Sequence, residues 1–211
     1  MSLNELIVVG VDVGGQRKGF HAVALRGNNY LGKHSTPNAA SVVEWCQQIK
    51  AVAVGIDAPC HWSLTGRARP AERALMKEKI WCFATPTLEM AKTHPKNNYD
   101  WMLAGAELFR LLTAHYKLFD GLNASTDLLC FETFPQAVAC SLAGEVISAK
   151  RKSFVRRKLL SASGTDTTSL NNIDFVDAAL CALSAHSILV GNFKTYGDAK
   201  EGFVIVPTFS R

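Results

Sequence analysis

Apolar positions fall into two rhythms along the chain. LIVVGVD (6–12) is a continuous apolar run rich in β-branched residues, the pattern of a strand covered on both faces. GFHAVAL and NYLGKHS follow with Gly27-Asn28 between them, so the first three strands read as an antiparallel meander. NAASVVEWCQQIK places Val42, Val43, Cys46 and Ile49 on one face of a helix started by Pro37 or Asn38. AVAVGID is a second buried strand. Its return through a helix predicts that it lies parallel to the first, by a right-handed crossover.

From about Cys60 to Asp127 the pattern turns helical. RPAERALMKEKIWCF has Pro70 in the first turn of a helix, and DWMLAGAELFRLLTAHYKLF is long and amphipathic. A further apolar strand, DLLCFE, is followed by a helix opened near Pro135. AKRKSFVRRKLLSAS is a basic helix ending near Gly164; NNIDFVDAALCALSAHSILVG is a long helix stopped by Gly191; GFVIVP is a closing strand. The prediction is one α/β domain over 1–211, a mixed five-to-six-stranded sheet flanked by helices, with a helical insertion at about 60–127.

Composition narrows the class. Hydrophobic residues at 48% and charged residues at 19% exclude a disordered chain. The net charge of +5 leans mildly toward anionic partners. Six cysteines without a CxxC pair read as buried thiols of a reducing compartment, and the six scattered histidines predict no zinc site. Cys60-His61 is a neighbouring pair in a strand-end loop, expected to point apart. The start shows no basic-then-apolar signal, and no apolar run nears membrane-spanning length. A cytoplasmic protein with no membrane partner is expected.

The chemistry lies in where carboxylates fall. VVGVD ends on Asp12 and AVGID on Asp57, each with Gly two positions earlier, and LLCFE ends on Glu132. Parallel neighbours lie about 4.8 Å apart, so the first two acids project from the carboxyl edge where α/β sheets place ligands. Asp174 and Asp177, three apart near a helix start, share one face of an almost wholly apolar helix. Singly, each acid has a plainer reading: Asp12 as a turn former, Glu132 as a cap, Asp174 and Asp177 as partners of a helix dipole. Jointly they point to a divalent cation, because close like charges repel unless a cation joins them. Mg²⁺ and Mn²⁺ take such hard oxygen ligands.

VGVDVGG, VGIDAPC, FETFPQAVACSLAG and NIDFVDAALCAL, in this order, resemble a family of proteins of unknown function described as predicted nucleases of the RNase H-like fold. GRARPAERAL and AKRKS extend the likeness across nearly the whole chain. The resemblance implies an RNase H-like core with Asp12 on the first strand, Asp57 on the fourth, Glu132 on the next, and Asp174 or Asp177 on the last helix, as in RuvC-type resolvases.

The expected activity is therefore metal-dependent hydrolysis of nucleic acid, DNA or RNA. Asp12, Asp57, Glu132, Asp174 and Asp177 would hold two Mg²⁺ or Mn²⁺ ions that activate water and neutralise the leaving oxygen. Arg67, Arg69 and Lys150 are candidate phosphate contacts; Lys150 opens KRKSFVRRK, six basic residues in nine. Trp62, Trp81 and Trp101 are assigned to core packing ahead of base stacking. Two alternatives stay open. One is a non-catalytic nucleic-acid or nucleotide-binding module. The other is an actin-like or sugar-kinase-like ATP-binding protein, for which DVGGQRKG would cradle phosphate and a dimer would be needed to supply the second domain.

Overall fold

A computed structural model describes residues 5–96, 98–121 and 128–209. Its strands are β1 (Ile7–Val13), β2 (Phe20–Arg26), β3 (Asn29–Thr36), β4 (Ala53–Asp57), β5 (Lys117–Leu118), β6 (Leu129–Thr133), β7 (Phe193–Asp198) and β8 (Gly202–Pro207). The helices are α1 (Ala39–Gln48), α2 (Pro70–Lys77), α3 (Leu88–Thr93), α4 (Asp100–Leu112), α5 (Pro135–Ala143), α6 (Lys152–Ala162) and α7 (Ile173–Leu189). One mixed sheet runs β3-β2-β1-β4-β6-β8-β7, with β5 beside β6. The first three strands form the antiparallel meander; β4, β6 and β8 run parallel to β1. This is an RNase H-like α/β fold.

Alternation along each strand sorts the core into two layers. Val8, Val23, Leu25 and Phe131 pack under α7 on one face. Val9, Val11, Val54 and Ile56 pack on the other, with Val42 of α1 and Leu108 of α4. The helix α7 is buried from Phe175 to Ile188 but for His186. It sits close because glycine leaves it room. A Cβ on Gly10 would lie 2.0 Å from the Ala178 carbonyl oxygen, and one on Gly55 would lie 2.6 Å from that of Cys181. The Gly-x-Asp spacing of β1 and β4 thus serves packing first. It seats α7 against the strands whose next same-face residue is the aspartate.

Three expectations change. The sheet gains β5 and β7, the latter a half-exposed strand with too few apolar residues to stand out. The helix that begins at Pro70 ends at Lys77, where Lys79 takes a left-handed φ of 65° and the Ile80 amide closes back on Leu75. The helix expected to reach Phe119 ends at Leu112, and Lys117-Leu118 joins the sheet. The predicted insertion boundary at Asp127, where the strand DLLCFE begins, falls outside the described residues. Among those residues no helix is long and apolar enough to cross a membrane.

Candidate active site

Asp12 and Asp57 stand directly opposite each other on parallel neighbours β1 and β4. Their positions continue the same-face rows Val8-Gly10-Asp12 and Ala53-Gly55-Asp57, so both side chains lie on the face covered by α7. The first turn of α7 meets them there. Asn172 caps it by accepting a hydrogen bond from the Phe175 amide at 2.9 Å, and Asp174 and Asp177 follow. His21, paired with Asp12 across β2, completes the row.

Charge is concentrated at this edge. Burial, then the carboxylates of Asp177 and Asp174, push Asp12 up to about 7 against the opposing pull of Lys152 and Lys18. Burial, then Asp12 and Asp177, push Asp57 well above the usual carboxylate range. Neither carboxyl makes a hydrogen bond or ion pair among the described residues. The other two acids already have cations. Asp174 takes Lys18 Nζ at 3.0 Å, while Asp177, 3% exposed, takes the Arg156 guanidinium and Lys152 Nζ, the latter at 3.5 Å. Arg156 also donates from Nη2 to Gln136 Oε1 at 2.8 Å.

Glu132 is elsewhere. Phe131 pairs with Gly55, so the β6 residue beside Asp57 in the next register position is Thr133, whose hydroxyl donates to Ser184 of α7 at 3.0 Å. Glu132 therefore projects from the opposite face, for the reason that a one-residue offset reverses a strand's side chain. There Arg69 grips it with both terminal nitrogens, Nη2 to Oε1 at 2.5 Å and Nη1 to Oε2 at 3.0 Å, and the Cys60 amide adds 2.8 Å. Arg69 also donates from Nε to Glu72 Oε1 at 2.8 Å. At 1% exposure Arg69 is an interior ion-network residue and not a phosphate contact at the surface.

The remaining candidates separate similarly. Arg67 and Lys150 are exposed and lie away from the acids' hydrogen-bonding set. The cations that reach the acids are Lys18, and Lys152 and Arg156, the last two one helical turn apart on the face of α6 that also buries Leu160. That stripe was readable in KSFVRRKLL. Lys18 and Gln136 carried no such signal. Contrary to expectation, Cys60 Sγ and His61 Nδ1 do meet, at 3.3 Å. Burial, then the Glu132 charge, holds that thiol well above its normal pKa, which leaves it protonated and unsuited to nucleophilic attack.

The donor set tests whether a metal fits. Among the described residues no group of three or more His, Cys, Asp or Glu side chains gathers closely enough to hold a metal ion. A closed protein cage is therefore not built. Mg²⁺ does not require one: it is commonly held by one or two carboxylates, with water and substrate phosphate completing the shell. Asp12 and Asp57, abreast and in no ion pair among the described residues, fit that kind of site.

Solved structures similar to this chain include Thermus thermophilus RuvC, at 16% identity and a TM-score of 0.48 over 88% of this chain and 97% of that one. T. thermophilus RuvC in complex with a Holliday junction substrate is similar at 18% identity and a TM-score of 0.48, over 88% and 96%. No curated protein matches the sequence. Residues 10–201, from the glycine under α7 to the glutamate whose backbone carbonyl accepts from Arg69, match the family described as Protein of unknown function (DUF429). That span takes in both strand-end aspartates, the buried ion network and the whole of α7, and the chain belongs to this family.

Proposed function

We propose that this protein is a divalent-metal-dependent hydrolase of phosphodiester bonds in nucleic acid. One observation carries the reading: Asp12 and Asp57 face each other in register at the carboxyl edge of the sheet, both raised in pKa and neither in an ion pair among the described residues. A Mg²⁺ or Mn²⁺ ion held between them would supply positive charge and a water of lowered pKa. The chain's own residues do the rest. Arg156 and Lys152 neutralise Asp177 and fix the position of the α7 turn. The ammonium groups of Lys18 and Lys152, whose side chains are 61% and 48% exposed, stand at the rim where a phosphate would arrive. Asp174, shared with Lys18, is the next carboxylate available to an ion. With Asp177 already paired, a second ion has weaker support than the first. Glu132 and Arg69 hold the scaffold in this reading, and exposed Arg67 and Lys150 are left to track the backbone at a distance from the reacting bond.

The ion pairs of Asp177 favour a second reading, in which the protein binds nucleic acid without cutting it. The two separate cleanly. The hydrolase should stabilise thermally in Mn²⁺, by about 2.7 kcal/mol at 100 times the dissociation constant, and should degrade labelled DNA or RNA. Asp12→Asn should remove both effects with the fold intact. Binding without cleavage by either protein would install the second reading; no thermal shift with Mn²⁺ or Mg²⁺ would remove the first.

A further inference from the structure

We propose that Trp81 and Phe83 form a stacking platform for unpaired nucleobases beside the candidate active site. The platform specifies single-stranded or locally melted nucleic acid as the substrate class, and in that respect it rests on the reading above. After the left-handed turn at Lys79, the chain carries two rings outward between buried ends. Ile80 is 6% exposed and Thr85 is 1% exposed, whereas Trp81 is 74% and Phe83 80% exposed. Both ends of the segment are anchored. The Ile80 amide donates to the Leu75 carbonyl at 3.0 Å, and the Thr85 amide donates to both oxygens of Glu72 at 3.1 Å, which Arg69 holds in place. Two large rings are thus presented to solvent on a braced segment, against the usual fate of such residues.

One ring shares a cleft with one of the acids. Phe83 and Asp57 both line it, together with Trp101, Glu132, Thr133 and Phe134. The surrounding charge identifies the occupant. Residues 60–96 contain seven Lys and Arg against three Asp and Glu, a surplus of four out of the chain's net +5. Arg67, Arg73, Lys77 and Lys79 are all exposed. Protein-protein interfaces deplete lysine around their apolar centres. Aromatic faces interleaved with cations are the means by which single strands are held, with bases on the rings and phosphates on the charges.

Binding of a fluorescein-labelled oligo-dT and of a duplex of equal length, measured by anisotropy in EDTA, tests the platform without cleavage. The wild type should bind oligo-dT with quenching of tryptophan emission. Trp81→Ala and Phe83→Ala should each weaken that binding about tenfold while changing duplex affinity less than twofold. Trp81→Phe and Phe83→Tyr should retain binding, and all four variants should keep the wild-type Tm and Mn²⁺ shift. Oligo-dT affinity that is absent in the wild type, or unchanged in the alanine variants, overturns the platform. So does equal loss on the duplex, or self-association that either alanine variant abolishes. If the platform fails, Asp12-dependent cleavage in Mn²⁺ still stands. If cleavage and the Mn²⁺ shift are absent while Trp81-dependent binding persists, the hydrolase reading fails alone.

Discussion

At the scale of single residues, the side of the sheet decides chemistry. Glu132 ends an apolar strand as Asp12 and Asp57 do, and its charge alone suggested the same office. Yet β6 places Phe131 where β1 and β4 have glycine, and Thr133 where they have aspartate. The mark was present in the sequence as F-x-T against G-x-D, but reading it required the register between strands. Its physical consequence is testable. Removing one partner of a buried ion pair leaves an uncompensated charge and costs about 3–5 kcal/mol. Glu132→Ala takes the carboxylate from both terminal nitrogens of buried Arg69 and leaves it only the carboxylate of Glu72. It should lower stability in urea by about 3 kcal/mol, the low end of that range, while preserving the Mn²⁺-induced stabilisation of the folded fraction. A metal ligand would show the reverse, with little loss of fold and complete loss of the ion effect.

At the scale of elements, α7 and its two glycine seats organise the site. The helix has almost no polar face, which was legible from Phe175 to Leu189 and implied burial. The role of Gly10 and Gly55 was not legible, since a strand glycine signals close approach of some backbone without naming which. The approach is that of α7 itself, carrying Asp174 and Asp177 toward Asp12 and Asp57. Gly10→Ala would drive a methyl group into the backbone of Ala178 and Ala182, where no flexible side chain can yield. We expect it to cost at least about 3 kcal/mol, at the upper end of overpacking effects, and to lower Tm by about 6 °C or more. Gly32→Ala, on β3 with open space around it, is the matched control and should change Tm by little. The basic helix α6 follows the same logic: its inward stripe of Lys152 and Arg156 reaches the acids, and its outward charges do not.

At the scale of the whole molecule, the acid cluster makes stability depend on pH. Asp12 titrates near 7 in the folded state against about 3.9 when unfolded. Below about pH 4 both states are protonated at this group and its advantage to the fold is complete. As pH rises through 7 the folded carboxyl must ionise beside other negative charges, and that advantage is lost. Thermal melts of Asp12→Asn and wild type without metal should therefore converge near pH 4. They should separate by pH 8, with the variant melting at least about 2 °C higher. Separation in the opposite direction, or none, would show that Asp12 has a cation partner in the apo fold. What the sequence determined alone is the order of apolar strands and helices, hence the α/β class, and the set of acids available at strand and helix ends. Periodicity of burial is local, and those features follow from it. Which acids meet is not local. It depends on pairing register, on which face each strand turns to α7, and on the nearest cation in space. Those are sums over contacts between distant segments, so only the folded chain could give Asp57 to Asp12 and Glu132 to Arg69.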